Sequence, residues 1–216
     1  MIPVTTRSLP NTSAHVRRRA SSRSLFIALL FAVYSALHGA ATVVVTALPD
    51  DPACNDVDRG FMKRANEMAA MTAAKGNTSY GAVLVKDGAI LMEFGNDARA
   101  SGDVTHHAET GLISLASRKF GREAVAGSIL YTSTEPCIMC CGAIRAAGIK
   151  QFVYGTTAIQ VTRQRGAQLP EKPLQCREVF QRIGSESVII KGPLLETEGL
   201  AVHAAAAAPT TTPAVK

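Results

Sequence analysis

Two short segments of the chain carry residue types that can bind a metal ion and transfer protons. The first is H-A-E at 107–109, and the second is P-C-I-M-C at 136–140. Cys137 and Cys140 are three residues apart, so one helical turn directs both thiolates to the same side. One imidazole and two thiolates form a three-ligand zinc site whose fourth position stays open for water. We therefore expect one Zn²⁺ per chain, bound by His107, Cys137 and Cys140.

Glu109 is the candidate proton carrier. It follows His107 by two residues, which in a regular helix places the two side chains on opposite sides. In the first turn of a helix, both side chains can still flank a pocket that is approached end-on. We expect Glu109 to lie beside the metal without binding it, where it can act as a general base for water.

The cysteine pair alone admits other interpretations. A C-x-x-C spacing also occurs in structural zinc sites and in redox-active pairs. A closed structural site needs a fourth ligand, and no convincing one stands out in the sequence. Pro136 before the first cysteine and H-x-E upstream disfavour a thioredoxin-like pair. The joint pattern, with each half expected to open a helix, favours a catalytic zinc site.

Hydrophobic periodicity predicts alternating helices and strands that would position the two segments. The predicted elements are a helix over 58–75, strands over 80–86 and 89–94, a helix from about 106 to 119, a strand over 128–132, a helix over 137–148, a strand over 150–154, a short helix over 173–183, a strand over 188–191 and a helix over 193–203. Asp87-Gly88 predicts a tight hairpin, and a loop is expected around Arg163 and Arg165. Helices that follow strands imply crossover connections, so the order predicts an α/β domain with a mixed sheet.

The formal net charge of +6 is concentrated at the N-terminus. Five arginines, and no lysine or acidic residue, lie before residue 50, which leaves about +1 for residues 50–216. A strongly basic face for nucleic acid is therefore not expected on the folded part of the chain.

The N-terminal segment is typical of a targeting sequence. Residues 1–23 are rich in Ser, Thr and Arg, and Leu25–Leu37 is almost continuously apolar. This layout indicates a secretory signal, with an uncleaved membrane anchor or part of an organelle transit peptide as alternatives. Residues 204–216 are of low complexity and are expected to be disordered. The predicted organisation is a signal, anchor or targeting segment over 1–49, a zinc-dependent domain over 50–203 and a tail over 204–216. The corresponding location is extracytoplasmic, membrane-anchored or organellar.

The middle of the chain resembles the cytidine deaminase-like superfamily, in the branch of guanine and cytosine deaminases and tRNA adenosine deaminases. H-x-E followed by P-C-x-x-C is the signature of zinc nucleobase deaminases. The resemblance covers about Asp58 to His203. Its other landmarks are Y-G-A-V at 80–83, G-N at 95–96, D-V-T-H at 103–106 and T-E at 134–135.

The resemblance implies a three-layer α/β/α fold around a five-stranded mixed sheet, in a domain that commonly forms homodimers. It also implies that Asn96 hydrogen-bonds the substrate and that the backbone of Gly81, Ala82 and Val83 lines the pocket. The activity it implies is hydrolytic deamination, in which Glu109 takes a proton from water, passes it to the ring nitrogen and then protonates the departing amine.

The chain departs from this branch at several positions. Val104 and His106 stand where Pro and Ala are common, so His106 either borders the pocket or faces solvent. Cys141 occupies a small-residue position and is expected to be a buried, inert thiol. Cys54 and Cys176 are either reduced thiols or, in an oxidising compartment, a disulfide. The aromatic and acidic C-terminal residues that complete a guanine deaminase pocket are not evident, which leaves the base open.

The near-neutral core favours a small substrate. A tRNA-editing enzyme needs a basic face for phosphates, and this chain offers little beyond Arg163 and Arg165. A free nucleobase or nucleoside is the favoured substrate, with tRNA adenosine as the alternative. A membrane is an expected partner only if the N-terminal segment is an uncleaved anchor. A non-catalytic binding module on the same fold is a third hypothesis, disfavoured because all three ligands and Glu109 are present.

Overall fold

The computed structural model describes residues 46–170, 173–184 and 187–207. The expectations for the N-terminal segment before residue 46 and for the tail after residue 207 lie outside these ranges. The helices and strands, in chain order, are α1 (Asp56–Ala74), β1 (Gly81–Lys86), β2 (Ala89–Gly95), α2 (Ala98–Ser101), α3 (Ala108–Phe120), α4 (Arg122–Ala126), β3 (Ile129–Thr134), α5 (Ile138–Ala147), β4 (Gln151–Thr156), α6 (Ala158–Gln164), α7 (Cys176–Arg182), β5 (Ile189–Lys191) and α8 (Glu196–Ala207). Within the described ranges, none of the helices is long and apolar enough to cross a membrane.

The strands form one five-stranded sheet in the order β2-β1-β3-β4-β5. β1 pairs antiparallel with both β2 and β3, whereas β3–β4 and β4–β5 are parallel. Asp87 and Gly88 both have positive φ, of 53° and 76°, as the predicted two-residue hairpin turn requires. The expected mixed sheet is confirmed.

Helices cover both faces of the sheet. Alternate residues of each strand point to opposite sides, so each strand contributes side chains to both layers. Leu84 and Phe152 pack with α3, α4, α5 and α7 on one face. Val83 and Val153 pack with α1 on the other face, and α8 lies against α1. The predicted three-layer α/β/α fold is therefore confirmed, and the helices that carry H-A-E and C-I-M-C share one face of the sheet.

The sequence failed to predict α6. The loop expected around Arg163 and Arg165 is instead a short helix, with Arg165 at its C-terminal cap. Thr157 caps its N-terminus by accepting a hydrogen bond from the Gln160 backbone N–H at 3.4 Å. The helix has seven residues, of which Gln160 and Val161 are buried. Two adjacent buried residues in so short a segment do not show a helical period. Other differences are small. The short helices α2 and α4, before and after α3, were not among the predicted elements, and α8 begins at Glu196 rather than at Pro193.

Glu196 ties the two ends of the described chain to the sheet. Its buried carboxylate accepts hydrogen bonds from the backbone N–H and the hydroxyl of Thr157, at 2.8 and 2.7 Å, and from the Leu48 backbone N–H. α8 continues to Ala207, beyond the end predicted at 203, and residues 46–50 also bond to the domain. The folded unit is therefore longer at both ends than the predicted 50–203.

Removing this carboxylate should destabilise the domain. Glu196→Ala leaves two buried donors on Thr157 without their partner, so we expect the free energy of unfolding to fall by about 2–4 kcal/mol. Glu198→Ala, on the exposed side of the same helix, is the matched control and should change stability by less than about 0.5 kcal/mol. Urea unfolding measures both, and equal effects of the two variants would contradict this role of Glu196.

Candidate active site

Two helix N-termini bring the predicted ligands together. His107 is the N-cap of α3, Cys137 is the N-cap of α5, and Cys140 lies in the first turn of α5. α5 begins just after β3, which sits in the middle of the sheet. The positive ends of both helix dipoles therefore face the site and favour thiolate over thiol.

The three ligand atoms form a nearly equilateral triangle. The Cys137 Sγ lies 3.6 Å from the His107 Nδ1, the Cys140 Sγ lies 3.7 Å from the same nitrogen, and the two sulfur atoms are 3.6 Å apart. Tetrahedral zinc, with Zn–S near 2.3 Å and Zn–N near 2.0 Å, holds such atoms about 3.5–3.8 Å apart. Within the described ranges, no other group of three His, Cys, Asp or Glu side chains is spaced to hold a metal ion. The site fits one zinc ion per chain.

The charge on the two thiols supports the same assignment. The side-chain hydrogen bond between Cys137 and Cys140 lowers the pKa of Cys137 to about 5. That bond and burial raise the pKa of Cys140. The pair therefore releases one proton readily and retains the second, and a cation between the sulfurs is needed to stabilise two thiolates.

Glu109 is buried beside the ligands. Its Oε1 accepts a hydrogen bond from the Thr132 hydroxyl at 3.0 Å, and its Oε2 accepts one from the Cys140 thiol at 3.4 Å. Burial raises the pKa of this carboxyl above its ordinary value. A buried carboxyl that is held in place and has a raised pKa is suited to take up a proton and return it.

The ligands and Glu109 line one cavity of about 340 Å³. Its other walls include Tyr80, Thr134, Glu135 and Arg165, none of which was predicted from the sequence as a pocket residue. The Arg165 guanidinium lies over the Tyr80 ring, 5.5 Å from its centroid. The volume is within the range of small-molecule sites.

Glu135 lines the cavity and holds the starts of two helices. Its carboxylate accepts hydrogen bonds from the backbone N–H groups of Ala158, at 3.1 Å, and Cys176, at 2.8 Å. It thereby fixes the starts of α6 and α7 against the end of β3. Its place directly before the P-C-x-x-C segment was the only sequence signal for this role.

The residues predicted to bind substrate lie near this cavity, but they are not among the described residues that line it. The Asn96 backbone N–H donates to the Tyr80 carbonyl at 2.9 Å, and its Oδ1 accepts from the Ala98 backbone N–H at 3.2 Å. Gly81–Val83 are buried in β1, directly after Tyr80. The roles of Asn96, Gly81, Ala82 and Val83 therefore stay predictions.

His106, next to the ligand His107, neither borders the cavity nor is fully exposed to solvent. His106 is half-buried; its Nδ1 is 3.5 Å from the Asp97 carboxylate, and its ring contacts Phe94 edge-on. It lines a separate open groove between α3 and α5, not the cavity of Glu109.

The remaining cysteines are single thiols. Cys141 is buried, and burial raises its pKa to about 12, as expected of an inert thiol. Cys54 and Cys176 are both free. They pack on opposite faces of the sheet, so the disulfide left open by the sequence does not form.

His203, in α8, is buried behind the cavity wall. Its Nδ1 lies 2.8 Å from the Ser79 hydroxyl and its Nε2 lies 2.9 Å from the Thr134 hydroxyl. Its ring also meets the Tyr80 ring edge-on. Burial, with a smaller contribution from the charge of Arg165, lowers the pKa of His203 to about 4.

This shift predicts a loss of stability in mild acid. The unfolded chain protonates His203 near pH 6.5 and the folded chain only near pH 4, so the free energy of unfolding should fall by up to about 3 kcal/mol across that interval. His203→Gln should remove most of this dependence. Urea unfolding of the unmodified protein and of His203→Gln, at several pH values between about 7 and 4, tests this prediction. The difference between the two free energies of unfolding at each pH cancels the contribution of the zinc ligands. Parallel profiles would contradict the assignment.

Comparison with known proteins identifies the family. The model of the cytidine and deoxycytidylate deaminase zinc-binding region matches residues 55–156. A structure solved in studies of A-to-I editing by tRNA:A34 deaminases matches with 31% identity and a TM-score of 0.55, covering 66% of this chain and 98% of that one. This chain belongs to the cytidine deaminase-like superfamily.

Curated members of this superfamily match over shorter stretches. A tRNA-specific adenosine deaminase of Agrobacterium fabrum is 40% identical over 95 residues, which are 44% of this chain and 62% of that protein. A guanine deaminase of Bacillus subtilis is 44% identical over 95 residues, 44% of this chain and 61% of that protein. The matched region thus spans less than two thirds of either relative.

Proposed function

We propose that this protein catalyses the zinc-dependent hydrolytic deamination of a nucleobase or nucleoside. The observation that carries the proposal is the buried Glu109 carboxyl, which contacts the Cys140 thiol in the same cavity as three ligand atoms spaced for zinc. Similarity to a guanine deaminase and to a tRNA-specific adenosine deaminase supports the reaction type.

Hydrolytic deamination needs a group that first accepts a proton from water and later donates a proton to the leaving amine. Zinc bound by His107, Cys137 and Cys140 would supply a Lewis acid that lowers the pKa of water towards 7. Glu109 accepts one proton of the attacking water and delivers it to the ring nitrogen beside the attacked carbon. It then carries the second proton to the exocyclic amine, the carbon–nitrogen bond breaks and ammonia leaves. The water oxygen becomes the carbonyl, so one water is consumed for each ammonia released.

The network around Glu109 suits this shuttle. The Thr132 hydroxyl holds Oε1, which leaves Oε2 on the side of the Cys140 sulfur. Burial raises the pKa of the carboxyl, which favours its uptake of a proton from water.

A free nucleobase or nucleoside is the favoured substrate class. The cavity is bounded in part by apolar side chains, including Val161 and Leu174, and Arg165 is the only lysine or arginine among its described lining residues. The near-neutral charge of residues 50–216 supports the same choice. Adenosine in tRNA is the second candidate, favoured by the Agrobacterium fabrum relative.

Ammonia release from a substrate panel tests the proposal. We expect the zinc-loaded protein to release ammonia from at least one of guanine, cytosine, adenine or their nucleosides, and zinc-stripped protein to release none. Inosine formed only in an RNA hairpin, with binding that weakens steeply with salt, would establish the tRNA alternative instead. One zinc per chain and no ammonia from any compound would indicate a non-catalytic binding module.

We also propose a homodimer that is exported or anchored through residues 1–49, with an organellar location as the alternative. The arginine-rich start and the apolar stretch Leu25–Leu37 support the targeting role. N-terminal sequencing of protein recovered from fractionated cells tests it, because a cleaved signal removes Leu25–Leu37. Light scattering tests the dimer, and a monomer mass would contradict it.

A further inference from the structure

Three buried side chains form a continuous hydrogen-bonded chain that ends at the cavity. Ser79, just before β1, contacts the His203 Nδ1, and Thr134, at the end of β3, contacts the His203 Nε2. All three residues are at most 6% exposed. Only Thr134 is among the described residues that line the cavity.

The ring of His203 is neutral, because burial keeps its pKa near 4. A neutral imidazole carries one proton, so one ring nitrogen donates and the other accepts. The two hydroxyls must therefore play opposite roles: one donates to the ring, and the other accepts from it.

The surroundings of the two hydroxyls decide which is which. Ser79 makes no other side-chain hydrogen bond within the described ranges and does not reach the cavity. If Nδ1 carried the proton, the Ser79 hydroxyl hydrogen would be buried without an acceptor. That arrangement costs more free energy than one in which the Thr134 hydrogen faces the cavity. When Ser79 donates to Nδ1, Nε2 carries the proton and donates to Thr134, whose own hydrogen is then free to point into the cavity.

We infer that the Thr134 hydroxyl, oriented by His203 and Ser79, donates a hydrogen bond to the substrate and selects bases with an acceptor at that edge. The acceptor is a carbonyl oxygen or an unprotonated ring nitrogen. Thr134 is then a specificity-determining residue, and His203 and Ser79 are positioning residues that never touch the substrate. This inference rests on the proposed function for the identity of the ligand, but not for the direction of the hydrogen bonds.

Further contacts surround His203 beside the cavity wall that carries Thr134. The Tyr80 ring packs edge-on against His203 and lies beneath the Arg165 guanidinium. His203 itself comes from α8, which packs on α1. The position of α8 therefore affects the direction of one hydroxyl in the cavity.

The tautomer of His203 can be measured without any activity. Two-bond ¹H–¹⁵N correlation spectra distinguish a protonated ring nitrogen from an unprotonated one. We expect Nε2 to be protonated in the zinc-loaded protein, and Ser79→Ala to shift the ring towards a mixture of both tautomers. A proton on Nδ1 in the unmodified protein would overturn the inference.

Substrate analogues test the second half. The base turned over fastest in the panel is compared with analogues in which its carbonyl is removed or one ring nitrogen away from the reacting carbon is replaced by CH. If the base is guanine, 2-aminopurine is the analogue without the carbonyl, and 7-deazaguanine is the analogue with CH in place of a ring nitrogen. We expect one analogue to lose about 10-fold in kcat/KM, mostly through KM, because a neutral hydrogen bond is lost.

Variants assign that loss to Thr134. Thr134→Val should lower kcat/KM about 10-fold for the parent base and should lower it no further for the analogue that lacks the acceptor. Thr134→Ser should retain the difference in kcat/KM between parent base and analogue. Ser79→Ala should weaken it without changing zinc content. Thr72→Val, which removes a buried hydroxyl outside the cavity, is the matched control and should leave the discrimination unchanged. Wild-type discrimination in Thr134→Val would overturn the inference.

The two proposals fail in different ways. If no compound in the panel is deaminated, the proposed function fails, and the tautomer still decides whether Thr134 donates into the cavity. If deamination occurs and the tautomer or the Thr134→Val result disagrees, only the inference about Thr134 fails.

Discussion

Glu109→Gln should retain one zinc per chain and lose about 10³–10⁴-fold in kcat. Gln has nearly the same volume and still accepts the hydrogen bond from Thr132, but its amide cannot take a proton from water or return one to the amine. The loss should fall on kcat rather than on KM, because both proton transfers occur after the substrate is bound. Steady-state ammonia release together with metal analysis of the same sample measures both quantities.

Glu123→Gln is the control for this substitution, since Glu123 is exposed in α4 and does not line the cavity. It should behave as the unmodified protein does. Ammonia release near the normal rate from Glu109→Gln would remove Glu109 from the mechanism. A simultaneous loss of zinc would instead show that Glu109 is a ligand.

Cys140→Ala should weaken zinc binding by more than about 100-fold and abolish deamination. Outer partners of metal ligands are worth about 10–100-fold in affinity, so the loss of a direct ligand exceeds that range. The variant also removes the thiol that contacts Glu109 and leaves His107 and Cys137 as a two-ligand site. Competition with a chromogenic chelator gives the affinity.

Cys141→Ala provides a closely matched comparison. Cys141 is the next residue in α5, is equally buried, and bonds the Pro136 carbonyl instead of a metal ligand. It should lose some stability through the small cavity it creates and keep its zinc and activity. If the two alanine variants retain equal amounts of zinc, the metal site is not the one described.

Short-range patterns predicted most of the fold. Asn55 caps the N-terminus of α1, Asp87-Gly88 forms the expected hairpin, and Gly148 ends α5 in the left-handed conformation. These features depend on residues within one turn of each other, so the sequence displays them directly. α6 was missed because it is too short for a periodic signal.

The grouping of His107, Cys137 and Cys140 could also be predicted, because H-x-E and P-C-x-x-C are visible in the sequence and each was expected to open a helix. The hydrogen bond between Thr132 and Glu109 could not be predicted, since those residues meet only when α3 packs on the sheet. The contact between Ser79 and His203 joins residues 124 positions apart. Contacts of this kind depend on the packing of α8 and have no local signature.

The most direct test of the account is turnover in ¹⁸O-labelled water by the zinc-loaded protein. Hydrolytic deamination at this site predicts that each carbonyl formed carries one oxygen from the solvent, that one ammonia appears with it, and that Glu109→Gln suppresses both. A product without solvent oxygen, or no ammonia from any nucleobase, nucleoside or RNA hairpin, would contradict the assignment of this cavity as a deaminase active site.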